Sequence, residues 1–338
     1  MRRVLLTLTL FAALVLSWSS GFIGATMAAA AGAPAETTML WRYLLTAVPL
    51  VTIAIARQRR LTATFLWREG IVGLLCHAIY VYGAYQAAAL GVPTGTNALV
   101  ASLQPLLVAL AATVLAGRVL SLRTLLGLAA GLAGVALVAG NDLGAGTQGA
   151  ALGLAVAGFG MVALSAGTLL GERLGTGADV LDRLTVHVVV TLGFTTLVAV
   201  PSGRWRPPVD PAFWWAQVFI VLVTVTAYVL YLVVLERHGS VPVSALLYLT
   251  PGIAAALAWP AFGETLAPIA LAGFVLSAVG VVAVLGPARR RRAATHDPSS
   301  RTLAGWPPSE SSPALPAELS ASATSWSPRC STRDIRCR

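Results

Sequence analysis

Long apolar runs alternate with short polar gaps along most of this chain, and within the runs there is no two-residue alternation of apolar and polar positions. A helical run of about 20 apolar residues matches the roughly 30 Å hydrocarbon core of a bilayer. Ten runs of that kind predict membrane spans, approximately 5–29, 38–56, 70–90, 94–116, 123–140, 149–170, 184–201, 212–235, 241–262 and 267–286. Strands of a membrane barrel would show about ten-residue alternating segments, and lipid forbids open sheet edges, so the fold class is all-α integral membrane. The opening Met1-Arg2-Arg3 and the triplet Ala28-Ala29-Ala30 resemble the ends of a secretory signal, but the first apolar run continues to about residue 31, past signal length.

The spans fall into two copies. Shifting the chain by 146 positions brings Pro105 onto Pro251, Gly117 onto Gly263, Gly127 onto Gly273, Gly134 onto Gly280 and Gly140 onto Gly286. Proline and glycine mark bends and close approaches, so their coincidence means a shared design rather than shared oiliness. The third and eighth spans match at an offset of 149, with Ala78 on Ala227, Tyr82 on Tyr231, Val92 on Val241 and Pro93 on Pro242. Leu16-Ser17-Trp18 finds a partner in Leu164-Ser165-Ala166 at the start of the second half, which ties the first span to the repeat. The expected organisation is a five-helix repeat over 1–141, a second over 148–287, and an Arg/Ser/Pro-rich tail over 288–338 too polar to fold. Five spans is an odd number, so the second repeat must enter the membrane inverted relative to the first.

Charge sets the orientation. The basic side chains are all arginine and give a net charge of +10, while charged residues make up only 11% of the chain against about 25% in soluble domains. Alternate gaps collect Arg2 and Arg3, then Arg57, Arg59, Arg60 and Arg68, then Arg118 and Arg123, then Arg173 and Arg183, then Arg237, then Arg289 to Arg292. The other side holds Arg204 and Arg206, so the positive-inside rule places both termini in the cytoplasm. Arg289 to Arg292 suit a stop-transfer anchor or a contact with anionic headgroups. Nucleic acid is not an expected partner, because little water-facing chain remains to carry a basic patch. Cys76, Cys330 and Cys337 show neither metal spacing nor an even count for disulfides.

The carboxylates all fall in turns, at expected span ends or in the tail, and no HExxH sequence is present. An intramembrane enzyme, a metal site or a cofactor is therefore not expected. Uncharged polar groups remain at depth, which suits a cavity that binds and releases a small solute, and a repeat with interrupted helices points to a secondary transporter. Pro105 and Pro251 fall near the middle of the fourth and ninth spans and should deprive the carbonyls of Ala101 and Leu247 of their helical donors. Candidate cavity residues beside them are Asn97 and Gln104 in the fourth span and Ser244 and Tyr248 in the ninth. Further candidates are His77 and Tyr80 in the third, Tyr228 and Tyr231 in the eighth, Trp18 and Ser19 in the first and Ser165 in the sixth. Hydrogen bonding between helices, or for the aromatics an interface position, is the alternative role. Arg42, several residues into the second span, either contacts an anion or gate, or is snorkelled or paired; His187, nearly its equivalent, and His77 are candidates for proton handling.

Two five-helix halves, Trp18-Ser19-Ser20 in the first span, Arg42 in the second, and a mid-span proline followed by the turn Gly263-Glu264 resemble the EamA-type family of the drug/metabolite transporter superfamily. The resemblance covers about residues 5–286. It implies a multi-pass carrier in the cytoplasmic membrane, commonly an exporter of amino acids, metabolites or toxic compounds, working by alternating access on a central cavity. The implied partners are a small-molecule substrate and the lipid bilayer, with a homodimer allowed; a non-transporting scaffold, lipid-handling or sensory protein is the alternative. The first half departs from the family in carrying Gly117-Arg118 where Gly-Glu is usual, so an acidic-turn role carries over to Glu264 alone.

Overall fold

Leucine, alanine and valine dominate the apolar runs, and every regular element among the described residues of the computed structural model is a helix. Those residues are 2–58, 61–115, 117, 119, 121–144, 149–174, 178–238, 246–264 and 267–285. They lie within one compact unit, Met1–Pro287. Arg118, Val241, Pro242, Ser244, Gly286, Cys330, Cys337 and the tail with Arg289 to Arg292 lie outside them.

In chain order the helices are α1 (Arg2–Ala30), α2 (Ala35–Ala56), α3 (Ala63–Gly73), α4 (Tyr80–Ala89), α5 (Thr94–Ser102), α6 (Gln104–Leu115), α7 (Leu122–Gly144) and α8 (Ala150–Leu174). They continue with α9 (Val180–Ala199), α10 (Pro211–His238), α11 (Thr250–Phe262) and α12 (Pro268–Leu285). Local chemistry explains the boundaries. Thr62 accepts from the Phe65 amide at 3.2 Å to cap α3, and Asp179 accepts from Leu181 at 3.0 Å to cap α9. Pro211 opens α10, and Gly263 closes α11 in the left-handed region at φ 71°.

Eight helices are long and apolar enough to cross a membrane, and the chain is a multi-pass integral membrane protein by that measure. The ten expected spans are not all matched among the described residues: the eight correspond to the first eight expected spans, and α11 and α12, at the ninth and tenth, are not among them. The third span is also longer than expected. It starts at Ala63 and runs to Ala89, and Leu74–Ile79 within it winds as a π-helix between α3 and α4. The earlier start places Glu69, expected at a span end, about two turns inside the span, where it is 3% exposed.

Packing follows the repeat. The most extensive contacts are α7 with α12, α2 with α9, α5 with α11, α1 with α10, and α4 with α8. Exchanging the two halves maps each of the first two pairs onto itself and turns α1–α10 into α8–α4; α11 corresponds to α6 by the 146-residue shift, so the counterpart of α5–α11 lies largely outside the described residues. The α7–α12 seam is the closest. A Cβ added at Gly134 would lie 2.5 Å from the Gly273 carbonyl oxygen, and one at Gly280 would lie 2.5 Å from the Gly127 carbonyl oxygen. These are the glycines that the 146-residue shift superposes, so the two crossings are equivalent by repeat. Without a hydrophobic drive between helices in lipid, such backbone proximity is what dispersion needs to hold them together.

Candidate functional site

The two central prolines do not sit in the middle of bent helices, as the sequence suggested. Each occupies the second position of a helix that restarts after a break. Leu103, between α5 and α6, has φ −74° and ψ −13°; Leu249, before α11, has φ −78° and ψ −13°. Both amides turn back to a carbonyl three residues earlier, Leu103 to Val100 at 3.2 Å and Leu249 to Leu246 at 3.0 Å. Proline is tolerated in the first turn of a helix because its missing amide has no intrahelical acceptor there. The same local solution therefore appears at the same repeat position twice.

Polar groups gather around both breaks. Beside the first, Gln104 Nε2 donates to Thr168 Oγ1 of α8 at 3.0 Å. Beside the second, Ser19 Oγ donates to the Thr250 carbonyl at 3.4 Å, and the hydroxyls of Tyr248 and Thr250 are buried without a protein partner. Buried orphan hydroxyls are costly unless something else occupies their lone pairs, so this is a place for water or a solute. Trp18 and Tyr231 face each other at 5.6 Å, with Tyr228 stacked on Tyr231 at 6.4 Å. Asn97 is used otherwise. Its Nδ2 donates to the Ala84 carbonyl at 2.8 Å, tying α5 to α4, and the break at Leu103 separates it from Gln104. Ser165 donates to the Met161 carbonyl of its own helix at 2.9 Å.

A cleft of about 370 Å³ reaches in from the end of the molecule that carries Arg57, Arg68, Arg173 and Arg183. Val72, Cys76, Thr168, Glu172, Arg183 and His187 line it, so Thr168 joins the cleft to Gln104 at the break. Against it lies Glu69, with Arg183 Nε on Oε1 at 3.1 Å and His187 Nε2 on Oε2 at 2.9 Å. The His77 ring is 5.0 Å from that of His187. Tyr80, at the end of the π-helix, is half-buried.

The opposite end is fastened. Glu36 Oε1 accepts from the Tyr82 hydroxyl at 2.9 Å, Gln86 Nε2 at 3.2 Å and Arg204 Nη1 at 3.2 Å. Thr37 and Trp41 donate to the backbone of Arg204 and Trp205 at 2.6 and 3.0 Å. Glu264 receives the Thr94 amide at 2.9 Å and the Thr94 hydroxyl at 2.7 Å, so the acidic turn of one half caps a helix start of the other. Burial pushes the Glu264 carboxyl above its usual range, the Thr94 donors pull it back, and nearby Asp142 pushes it up again. Below this layer, Arg42 donates from Nη1 to Tyr85 Oη at 2.7 Å and from Nη2 to Thr224 Oγ1 at 3.1 Å. Its guanidinium also lies over the Tyr43 and Tyr85 rings at 5.3 and 5.4 Å. Arg42 is thus paired with neutral groups of both halves rather than snorkelled to the surface.

Glu69, Thr168, Thr224 and Thr250 were missed as site residues. A span opened at the Thr62 cap would have brought Glu69 inside; the threonines gave no signal, because threonine is ordinary in apolar helices.

A solved crystal structure of a protein superposes on the chain with a TM-score of 0.54 at 22% sequence identity, covering 82% of this chain and 95% of that one, which shows a shared fold. Among curated proteins, none matches. The EamA-like transporter family matches twice, over residues 5–140 and 151–286, the two copies read from the prolines and glycines. With those two matches covering most of its length, the chain belongs to the EamA-like transporter family, within the drug/metabolite transporter superfamily.

Proposed function

We propose that this protein is a secondary transporter that exports a small organic metabolite, amino acid or drug-like solute across the cytoplasmic membrane. It does so by alternating access between two inverted five-helix halves. The observation that carries this reading is the pair of breaks at Leu103 and Leu249, which have matching dihedrals at equivalent repeat positions. Backbone breaks inside spans are tolerated where they line a cavity, and paired ones mark the solute site of inverted-repeat carriers. The solute site comprises Gln104, Pro105, Ser19, Tyr248 and Pro251 around the breaks, with Trp18, Tyr228 and Tyr231 as an aromatic wall and His77 and Tyr80 beside the cleft. The cleft at one end and the hydrogen-bonded layer at the other support a conformation open to the arginine-rich side.

The experiment has two steps. Extracellular metabolites are compared between cells with and without the gene, and the solute that accumulates is then assayed in liposomes bearing purified protein. Faster exchange of labelled against unlabelled solute than in protein-free liposomes is expected; equal rates would rule out the reading. The arginine-rich end is the cytoplasmic one in this proposal, so reporter fusions at Gly144 and Glu264 should register outside and one at Arg118 inside. An outside signal at Arg118 reverses the orientation.

A further inference from the structure

A carboxylate inside an apolar span is costly to keep charged, and chains of Glu and His in such places serve as proton relays in pumps and transporters. Glu69 is 3% exposed, inside the third span, and its two oxygens are held separately by Arg183 and His187. His77, eight residues further along the same span, continues the line through its ring contact with His187. It sits on the π-helix, a local widening that is frequent at functional sites. The cleft opens directly onto Arg183 and His187, which gives water a route to the cluster.

The charged and titratable groups around the cluster come from every packed element. Arg68 of α3 donates from Nη1 to the Leu174 carbonyl at 3.4 Å, and Cys76 points its thiol at the Leu164 carbonyl at 3.8 Å. From α8 comes Glu172, exposed at the cleft mouth. From α9 come Asp179 and Asp182, facing Arg57 at 3.1 and 4.0 Å. On the far side, Arg42 and Tyr43 of α2 and Tyr80 lie within electrostatic reach of one another, and Arg42 acts on His77 through space. Arginine keeps its proton at any ordinary pH. Glu69, His187 and His77 are therefore the groups that join burial to access from the cleft and can exchange one.

We propose that Glu69, His187 and His77 form a proton-binding site loaded through the cleft from the arginine-rich end. A proton on Glu69 removes the negative charge that Arg183 and His187 both face, and a proton on His187 instead makes their contact a full ion pair. Either change alters the contact between α3 and α9 that walls the cleft. Given the transporter reading, on which this step rests, the consequence is coupling of solute movement to proton movement.

The test needs no solute, because the probe is the proton. Full-length protein in liposomes on a solid-supported membrane is exposed to a jump from neutral to mildly acidic buffer, and the transient charge displacement is recorded. Protons entering Glu69 or His187 cross part of the membrane dielectric and register, whereas those taken by water-facing carboxylates do not. The wild type should give a displacement that falls to the level of protein-free liposomes in Glu69→Gln and is reduced in His77→Gln, which disturbs neither carboxylate contact. Cys76→Ser, in the cleft wall but outside the cluster, should keep it. The double variant Glu69→Gln/His187→Gln removes the charge and its partner together and should also lose the signal if the single variant does not reconstitute. A wild-type-sized displacement in Glu69→Gln or in the double variant overturns the proposal. Solute exchange without any wild-type displacement refutes this site and leaves the transporter reading standing; displacement without solute exchange does the reverse.

Discussion

Gly134→Leu is expected to remove most of the folded protein from the membrane, because no side chain fits between α7 and α12 at that point. The Cβ alone would fall 2.5 Å from the Gly273 carbonyl oxygen and 2.7 Å from the Ser277 amide nitrogen. Both obstacles are backbone, so neither can rotate away, and the helices must part along the closest contact between the two halves. Overpacking costs about 1–3 kcal/mol where neighbours can adjust, and this site lies at or beyond the top of that range. Gly140→Leu, on the same helix with nothing within 4 Å of its added Cβ, is the control. Leucine there should be neutral or slightly stabilising through helix propensity, by up to about 1 kcal/mol. The readout is monodisperse yield and melting temperature of a fluorescent fusion in detergent. If Gly134→Leu matches Gly140→Leu in both, the seam does not hold the halves together.

Pro105→Ala and Pro251→Ala should act on transport instead. Alanine restores an amide at position 105 or 251, which can then donate to the carbonyl of Ala101 or Leu247 and let the helix run through the break. A continuous helix at Leu103 would rotate Gln104 away from Thr168, and one at Leu249 would shift the Thr250 carbonyl away from Ser19 and Tyr248 away from the buried cluster that holds Val100 and Leu103. The expected result is solute exchange slowed by about tenfold, equivalent to roughly 1.4 kcal/mol in the barrier, with little change in the amount of protein in the membrane. Pro93→Ala, at a helix start where the proline bends nothing, should exchange at the wild-type rate. Either central variant running at wild-type speed at equal expression would make that proline a packing feature and withdraw its neighbours from the solute site.

The helices, their approximate limits and the two copies were legible in the sequence because each depends on local properties: apolar length against membrane thickness, and residues with unusual backbone freedom. Pro105, Pro251 and the glycine pairs recur at one offset, so they could be read before any contact was known. The side-chain partners could not. Glu69 meets His187 across 118 positions and Arg42 meets Thr224 across 182, and these pairings depend on which helix faces are brought together. Tertiary structure also decided the form of the interruptions. Proline dictates that a helical bond is lost but not whether the helix bends or restarts. The packing of α5 against α11 and of α6 against α8 accompanies the restart at Leu103. Sequence thus determined the spans and their repetition, through properties each residue carries alone. Only the tertiary structure decided the break geometry, the π-helix and the buried polar pairs, because each depends on the fit of side chains from segments far apart in the chain.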